Sequence, residues 1–347
     1  MKLSTQLAYS GNPRVAADQV VALEKAGLDQ LWVAEAYGFD SVSLLGYLAA
    51  KTERVELCAG ILNVYSRTPG ALLQTAAGLD NVSGGRAVIG LGASGPQVVE
   101  GFHGVPYDRP LGRTREVIDI LRRGLRRERV TSDGIYQLPL PADQGLGLGK
   151  PLKLLNKPER PAVPLWVAAL GGKNVAMTAE VADGWLPWLL YPEKVQTVWG
   201  EALATGGAKR STDLGTLQIS AGGILAIGEG EDTKKALDRM RPIYALYVGG
   251  MGARGKNFYY DMACHYGFEE QAKKIQDLYL DDHKRDAEAL VPLEWLEAGN
   301  LVGPASYVKE RIAAFHAAGV TSLQVTPAPG TDALAAVSQV KEWLPAH

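Results

Sequence analysis

An amphipathic helix, a small residue followed by glycine, and then a short β-branched strand recur along this chain, and that joint restricts the possible folds more than any other feature. Asn12 can cap a helix that has Pro13 at its first position and Ala16, Val20 and Leu23 on one face, ending at Ala26 and Gly27 before QLWVAE. Near the other end, Pro304 opens a helix carrying Val308, Ile312 and Phe315 that stops at Ala318 and Gly319 before SLQVTP, and ADGW at 182–185 makes a third joint. VELCAGI (55–61), RAVIGLGA (86–93), PLWVAAL (164–170) and LQISAGGILAI (217–227) are short apolar runs, as parallel strands must be when helices cover both faces. Counting LSTQLAY at the N-terminus and a strand starting near Gly184, about eight strands alternate with helices. The pattern predicts an α/β fold, a (β/α)8 TIM barrel in one domain over 1–347. Two segments break the alternation, 131–163, rich in Gly and Pro, and 242–302, with helical stretches and an aromatic cluster. Such insertions decorate a barrel's C-terminal face and are candidate lids. Tyr244, Tyr247, Phe258, Tyr259, Tyr260, Tyr266 and Phe268 are read as helix-packing core for the most part, with pocket lining as the alternative.

Charge and cysteine content narrow the function classes. The 347 residues carry 38 acidic and 36 basic side chains, so no overall field favours nucleic acid, an anionic membrane or a strongly charged substrate; the expected partner is a small molecule. The basic run RRGLRRER (122–129) ends a helical pattern without interleaved aromatics and reads as a solvated face. Cys58 and Cys264 are far apart, without CxxC or His-rich spacing, which argues against a disulfide framework and a zinc site. No apolar run approaches the ~18 residues that span a bilayer, and MKLSTQLAYS lacks the form of a secretory signal. A soluble, cytoplasmic protein is expected.

In a barrel, chemistry sits where strands end. After the fifth strand, Gly171 and Gly172 let the backbone approach a ligand, and the helix that follows, with Val175, Ala179 and Ala182 at helical spacing, offers free N–H groups and a positive dipole end to a phosphate. The plainer alternative is a tight strand-to-helix turn. Glu35 ends the second strand, where a carboxylate can accept a proton or bond a ring N–H, or equally bond backbone donors of its own loop. The third strand ends at Gly60 and Ile61 with Asn63 beyond; glycine there permits a bulge and a flat ligand, or simply a kink. The fourth ends in GLGASGPQ, whose Ser94 and backbone amides can approach an anion or ring edge. The chain has no P-loop, GxSxG elbow or HExxH, and its five histidines do not cluster, so no metal is expected. A phosphate grip with few acid/base groups implies that an organic cofactor carries the hard chemistry.

These residues match a known pattern. WVAE after the first helix, TERVELCAGILNVYSRTPG running on through GASGPQVVEGFHG, VPLWVAALGGKNVAMTAEVADGWLP, NFYYDMACHYGFEEQAKKIQDLYL and the closing AAGVTSLQVTP resemble the bacterial luciferase-like superfamily, and more narrowly its coenzyme F420-dependent oxidoreductases, over nearly the whole chain. The resemblance implies F420 with its deazaflavin ring at the C-terminal mouth and its phosphate tail at Gly171 and Gly172, with Ala169 and Leu170 contributing backbone groups. It implies a non-proline cis peptide at Gly60-Ile61, ring contacts from Asn63, Glu35 where relatives carry an aspartate near the ring, and a homodimer. Relatives that oxidise sugar phosphates or alcohols carry a histidine where this chain has Ala36 and a second acid where it has Gly95. The proton donor or acceptor is therefore left to Glu35, Tyr37 and Gln97, and reduction of an activated C=C or C=N bond, or an oxidation needing little base assistance, stays open. Two alternatives remain at this point: an FMN-dependent monooxygenase on the same barrel, and a cofactor-binding barrel without turnover.

Overall fold

A computed structural model describes residues 1–7 and 12–345. Eight parallel strands close on themselves: β1 (Lys2–Leu7), β2 (Gln30–Val33), β3 (Glu56–Asn63), β4 (Ala87–Gly92), β5 (Leu165–Ala168), β6 (Gly184–Leu186), β7 (Gln218–Ile227) and, last in the chain, β9 (Ser322–Pro327). Each pairs with its neighbour in that order, β9 returns to β1, and β6 pairs with β7 through Gly184 opposite Gln218, so the ring has no open edge. Helices cover the outside: α1 (Pro13–Lys25), α2 (Ser41–Ala49), α3 (Pro69–Val82), α5 (Pro110–Leu125), α6 (Gly172–Val181), α7 (Val195–Gly207), α14 (Ala305–Ala317) and α15 (Ala333–Trp343), with short α4 (Pro96–Gly101) after β4 and α8 (Glu231–Asp238) and α9 (Arg241–Ala245) after β7. The expected TIM barrel is the observed one.

The joints form for the anticipated reasons, with corrections of detail. The Asn12 side chain accepts from the Arg14 amide at 3.0 Å and Pro13 takes the first position of α1. The face of α1 that is fully buried, however, is Ala17, Val20 and Glu24, with Ala16 and Leu23 only partly covered. Glu24 is inward because its carboxylate accepts the amides of Glu53, Arg54 and Val55 at 3.1, 2.7 and 2.8 Å, pinning the turn that leads into β3. Burial works against ionising Glu24, but those three amides outweigh it and hold its carboxyl below the usual range. A depressed carboxyl contributes stability above its unfolded value and loses it as pH falls through the folded value. Glu24→Gln is therefore expected to cost about 1–3 kcal/mol at neutral pH and less under acid, read from urea unfolding at pH 7 and at pH 4.

The basic run is not simply a solvated face. Arg122 donates to the Val181 carbonyl at 2.8 Å and to Asp183 at 3.0 Å, Arg123 to the Thr131 carbonyl at 2.6 Å, and Arg127 to the Leu154 carbonyl at 3.4 Å, so the end of α5 ties the β5–β6 joint to the first insertion. That insertion carries a two-residue hairpin (132–133 with 137–138) and otherwise follows the surface. The second insertion, 242–302, holds α10 (Phe258–His265), α11 (Glu269–Leu280), α12 (Lys284–Ala289) and α13 (Leu293–Gly299). It also contains a strand the pattern did not suggest, β8 (Leu301–Gly303), parallel to the last three residues of β7. Of its aromatics, Tyr244, Tyr266 and Phe268 are core, Tyr247, Tyr259 and Tyr260 are half-buried, and Phe258 is exposed.

Candidate active site

Two recesses in the barrel lie away from the strand ends that carry chemistry. The better defined, about 340 Å³, opens at the N-terminal mouth among Lys2, Gln30, Glu56, Trp166, Asp183 and Ser322. Its polar groups satisfy one another: Lys2 Nζ and Gln30 Nε2 each donate to Glu56 at 2.6 Å, and Ser322 Oγ donates to Gln30 Oε1 at 2.6 Å. A closed network at the end of the barrel where strands begin is a plug.

At the C-terminal mouth the architecture is different, because small residues leave space there. The Gly60-Ile61 peptide is cis, in the register shift where β3 leaves β4 between Ala59 and Leu62. Around it, a Cβ on Gly90 would stand 2.2 Å from the Ala59 carbonyl, one on Gly92 2.7 Å from Ile61, and one on Gly60 3.0 Å from the Trp32 ring. The glycines are thus required for the chain to bend at this point, with Gly60 packed close to the indole of Trp32. Asn63, 4% exposed, lies beside Gly92; its Oδ1 accepts the Tyr65 amide at 2.9 Å while its buried Nδ2 has no partner. A buried amide donor left unbonded costs stability, so it marks a place where a ligand acceptor fits.

The corner after β5 is open. Gly171 is the N-cap of α6 and no side chain caps the helix, so the first N–H groups of the turn have no intrahelical partner. The carbonyls before it face inward, that of Ala169 accepting Trp185 Nε1 at 2.8 Å and that of Leu170 accepting Trp199 Nε1 at 2.7 Å. Ala169 is buried and Leu170 half-buried, so both support the corner from behind. A Cβ on Gly172 would meet nothing within 4 Å, whereas one on Gly171 would lie 3.4 Å from the Phe258 ring of the second insertion. Lys173, exposed beside Gly172, adds positive charge to the same turn.

Glu35 sits in a bound network. Arg67 grips both its oxygens at 2.7 and 2.8 Å, and the Ser41 amide and hydroxyl reach Oε2 at 3.1 Å each. Arg67 also donates to Asp40 at 2.6 Å. The hydrogen bond from Arg67 to the Glu35 carboxylate raises the basicity of Arg67 still further. The network holds the β2–α2 loop against the β3–α3 loop. Tyr37, 66% exposed, stands on that first loop; Ser94, with φ 56°, and Gln97 are exposed on the loop and first turn after β4, where the Ser94 carbonyl accepts the Tyr107 hydroxyl at 3.2 Å. The structure therefore gathers the sequence candidates on one face of the barrel, with Glu35, Gly60, Ile61 and Asn63 at adjacent strand ends and Gly171 and Gly172 at the start of α6, after β5. Arg67 was missed from sequence, because only the register of β2 against β3 reveals that Glu35 has a partner four residues past Asn63.

A luciferase-like monooxygenase family model matches residues 1–322. The chain belongs to the luciferase-like family. It is 40% identical to a Mycobacterium tuberculosis protein named "Putative coenzyme F420-dependent oxidoreductase Rv3520c", over 94% of this chain and 95% of that one. Among solved structures, the coenzyme F420 dependent tetrahydromethanopterin reductase of Methanopyrus kandleri superposes with a TM-score of 0.78 at 22% identity, covering 99% of this chain and 98% of that one. An F420-dependent secondary alcohol dehydrogenase in complex with an F420-acetone adduct gives 0.73 at 18%, covering 99% and 98%. At those identities the two structures establish the shared barrel and no more. Among the described residues, no helix is long and apolar enough to cross a membrane.

Proposed function

We propose that this luciferase-like protein is an oxidoreductase that transfers a hydride between coenzyme F420 and a small organic substrate. The observation that carries the reading is the open glycine corner at the N-terminus of α6: an uncapped helix end with room at Gly172, on the same barrel face as the Asn63 donor. The name of the 40% identical relative favours F420 over FMN. In this assignment the Gly171 and Gly172 amides hold the phosphate of the tail, with Ala169 and Leu170 shaping the corner. Gly60 and Ile61 back the ring, Asn63 Nδ2 donates to a ring acceptor, and Ser94 lies at its edge. Bound there, the deazaflavin supplies two-electron hydride chemistry with little reaction toward oxygen. Glu35 positions Arg67 and the β2–α2 loop, its oxygens being taken by hydrogen bonds. That leaves the solvent-facing Tyr37 as the group of the three free to move a proton, with Gln97 able to hydrogen-bond the substrate.

The test is a titration of cofactor-free protein with F420 and with FMN. F420 is expected to bind at least about tenfold more tightly. Tighter FMN binding with oxygen-consuming turnover would instead establish a monooxygenase, and F420 binding without reduction of any electrophile in a broad screen would leave a carrier. Two free thiols, Cys58 and Cys264, suit a cytoplasmic setting. We also infer a homodimer. Leu146, Leu148 and Leu155, 91%, 80% and 92% exposed, present apolar surface on the first insertion, and light scattering is expected to give twice the 37.1 kDa chain mass.

A further inference from the structure

The segment after β6 and the second insertion build an aromatic wall that the coenzyme assignment does not use. Trp188 follows β6, its ring centroid 5.8 Å from that of Tyr247, and Tyr259 meets Tyr247 edge-on at 4.5 Å. Tyr247 lies in a π-helical turn (246–250), a rare geometry often found at functional sites. Asn257 fixes that turn: its Nδ2 donates to the Tyr247 and Val248 carbonyls at 3.0 and 2.9 Å, and its Oδ1 accepts the Tyr259 amide at 2.9 Å. Burial first, and Tyr37 second, push the Tyr247 hydroxyl up, so it is protonated at neutral pH.

Among the described residues, two donors on this wall have no hydrogen-bond partner. Trp188 Nε1 is buried with no partner, and the Tyr247 hydroxyl makes no hydrogen bond to another described residue. Elsewhere at the strand ends, Arg67 is paired with Glu35 and Asp40, and Arg113 with Asp108. A wall of aromatic faces with neutral donors favours a flat, uncharged compound with one acceptor over a charged sugar phosphate.

We propose that Trp188 and Tyr247 form the substrate subsite and that the substrate is a neutral, planar, conjugated carbonyl compound, stacked on the wall with its oxygen toward their donors. The inference deepens the oxidoreductase reading and rests on it for the coenzyme, but its test does not require turnover. Full-length protein, with and without F420, is titrated calorimetrically with 1-tetralone, its saturated counterpart 1-decalone, and glucose 6-phosphate. Tetralone is expected to bind at least about tenfold more tightly than either of the others, the scale of a stacking gain. Trp188→Leu is expected to weaken tetralone at least about fivefold, and Trp188→Phe and Tyr247→Phe, which keep a ring but lose the donor, about threefold, with the F420 dissociation constant changed less than about twofold. Equal affinity for tetralone and decalone in both forms of the protein, or an unchanged tetralone constant in the Trp188→Phe and Tyr247→Phe variants, overturns the subsite. Failure of wild-type protein to bind F420, with the tetralone preference and its Trp188 dependence intact, would instead remove the coenzyme reading and leave the subsite standing.

Discussion

Replacing Gly172 by valine is expected to raise the dissociation constant for F420 at least about tenfold, equivalent to 1.4 kcal/mol, without unfolding the protein. The position is exposed at the first turn of α6, and a Cβ there meets no atom within 4 Å. Valine in a helix costs less than glycine does, so the substitution is neutral or slightly stabilising for the empty protein. The same open space is where an anion must come to reach the first amides of the turn, and a branched side chain fills it. Circular dichroism checks the fold, and an absorbance titration reads the coenzyme. A folded variant with the wild-type constant would refute the corner as the phosphate grip.

Glu35→Gln is expected to weaken ring binding or slow turnover at least about tenfold while the barrel persists. Glutamine can still accept from Ser41, but it cannot hold Arg67 as a charged, two-pronged pair, and Arg67 is then left with Asp40 alone. The cost to stability is about 1–3 kcal/mol, because the pair is largely shielded, its side chains 18% and 11% exposed. The larger effect falls on the β2–α2 loop, which carries Tyr37; a shift of about 1 Å in a loop that positions reactants is enough for losses of this size. The readouts are the absorbance and affinity of bound F420, the rate of its oxidation, and the melting temperature. Wild-type binding and rate would confine Glu35 to holding the loop for stability only.

The barrel was legible because buried parallel strands have no polar face to disguise them. PLWVAAL and LQISAGGILAI could be only interior strands, and the glycine after each helix marked the turn into the next one. What escaped depended on partners distant in sequence. Glu24 looks like any helical carboxylate until the turn at 53–55 is brought against it. β8, three residues long, carries too few side chains to show a period. The arginines of 122–129 find their acceptors only when β5, β6 and the first insertion are folded around them. At the candidate site the same division holds. The glycine corner and the Gly60-Ile61 bend are local and could be read in the chain, the cis bond through resemblance, whereas the Arg67 clamp and the Trp188–Tyr247 wall arise from contacts between segments 32 and 59 residues apart.

The path of the second insertion has a consequence for how this scaffold changes over evolutionary time. The chain leaves the barrel at Ile227 and comes back through Leu301–Gly303 hydrogen-bonded alongside Leu225–Ile227, so departure and return are neighbours on one strand. A helical cassette whose ends meet at a single seam can vary in length at its outer turns, while its core residues Tyr244, Tyr266 and Phe268 tie it to the ring of eight. Variation in such a cassette then falls on its outer turns, and the ring keeps its strand pairing.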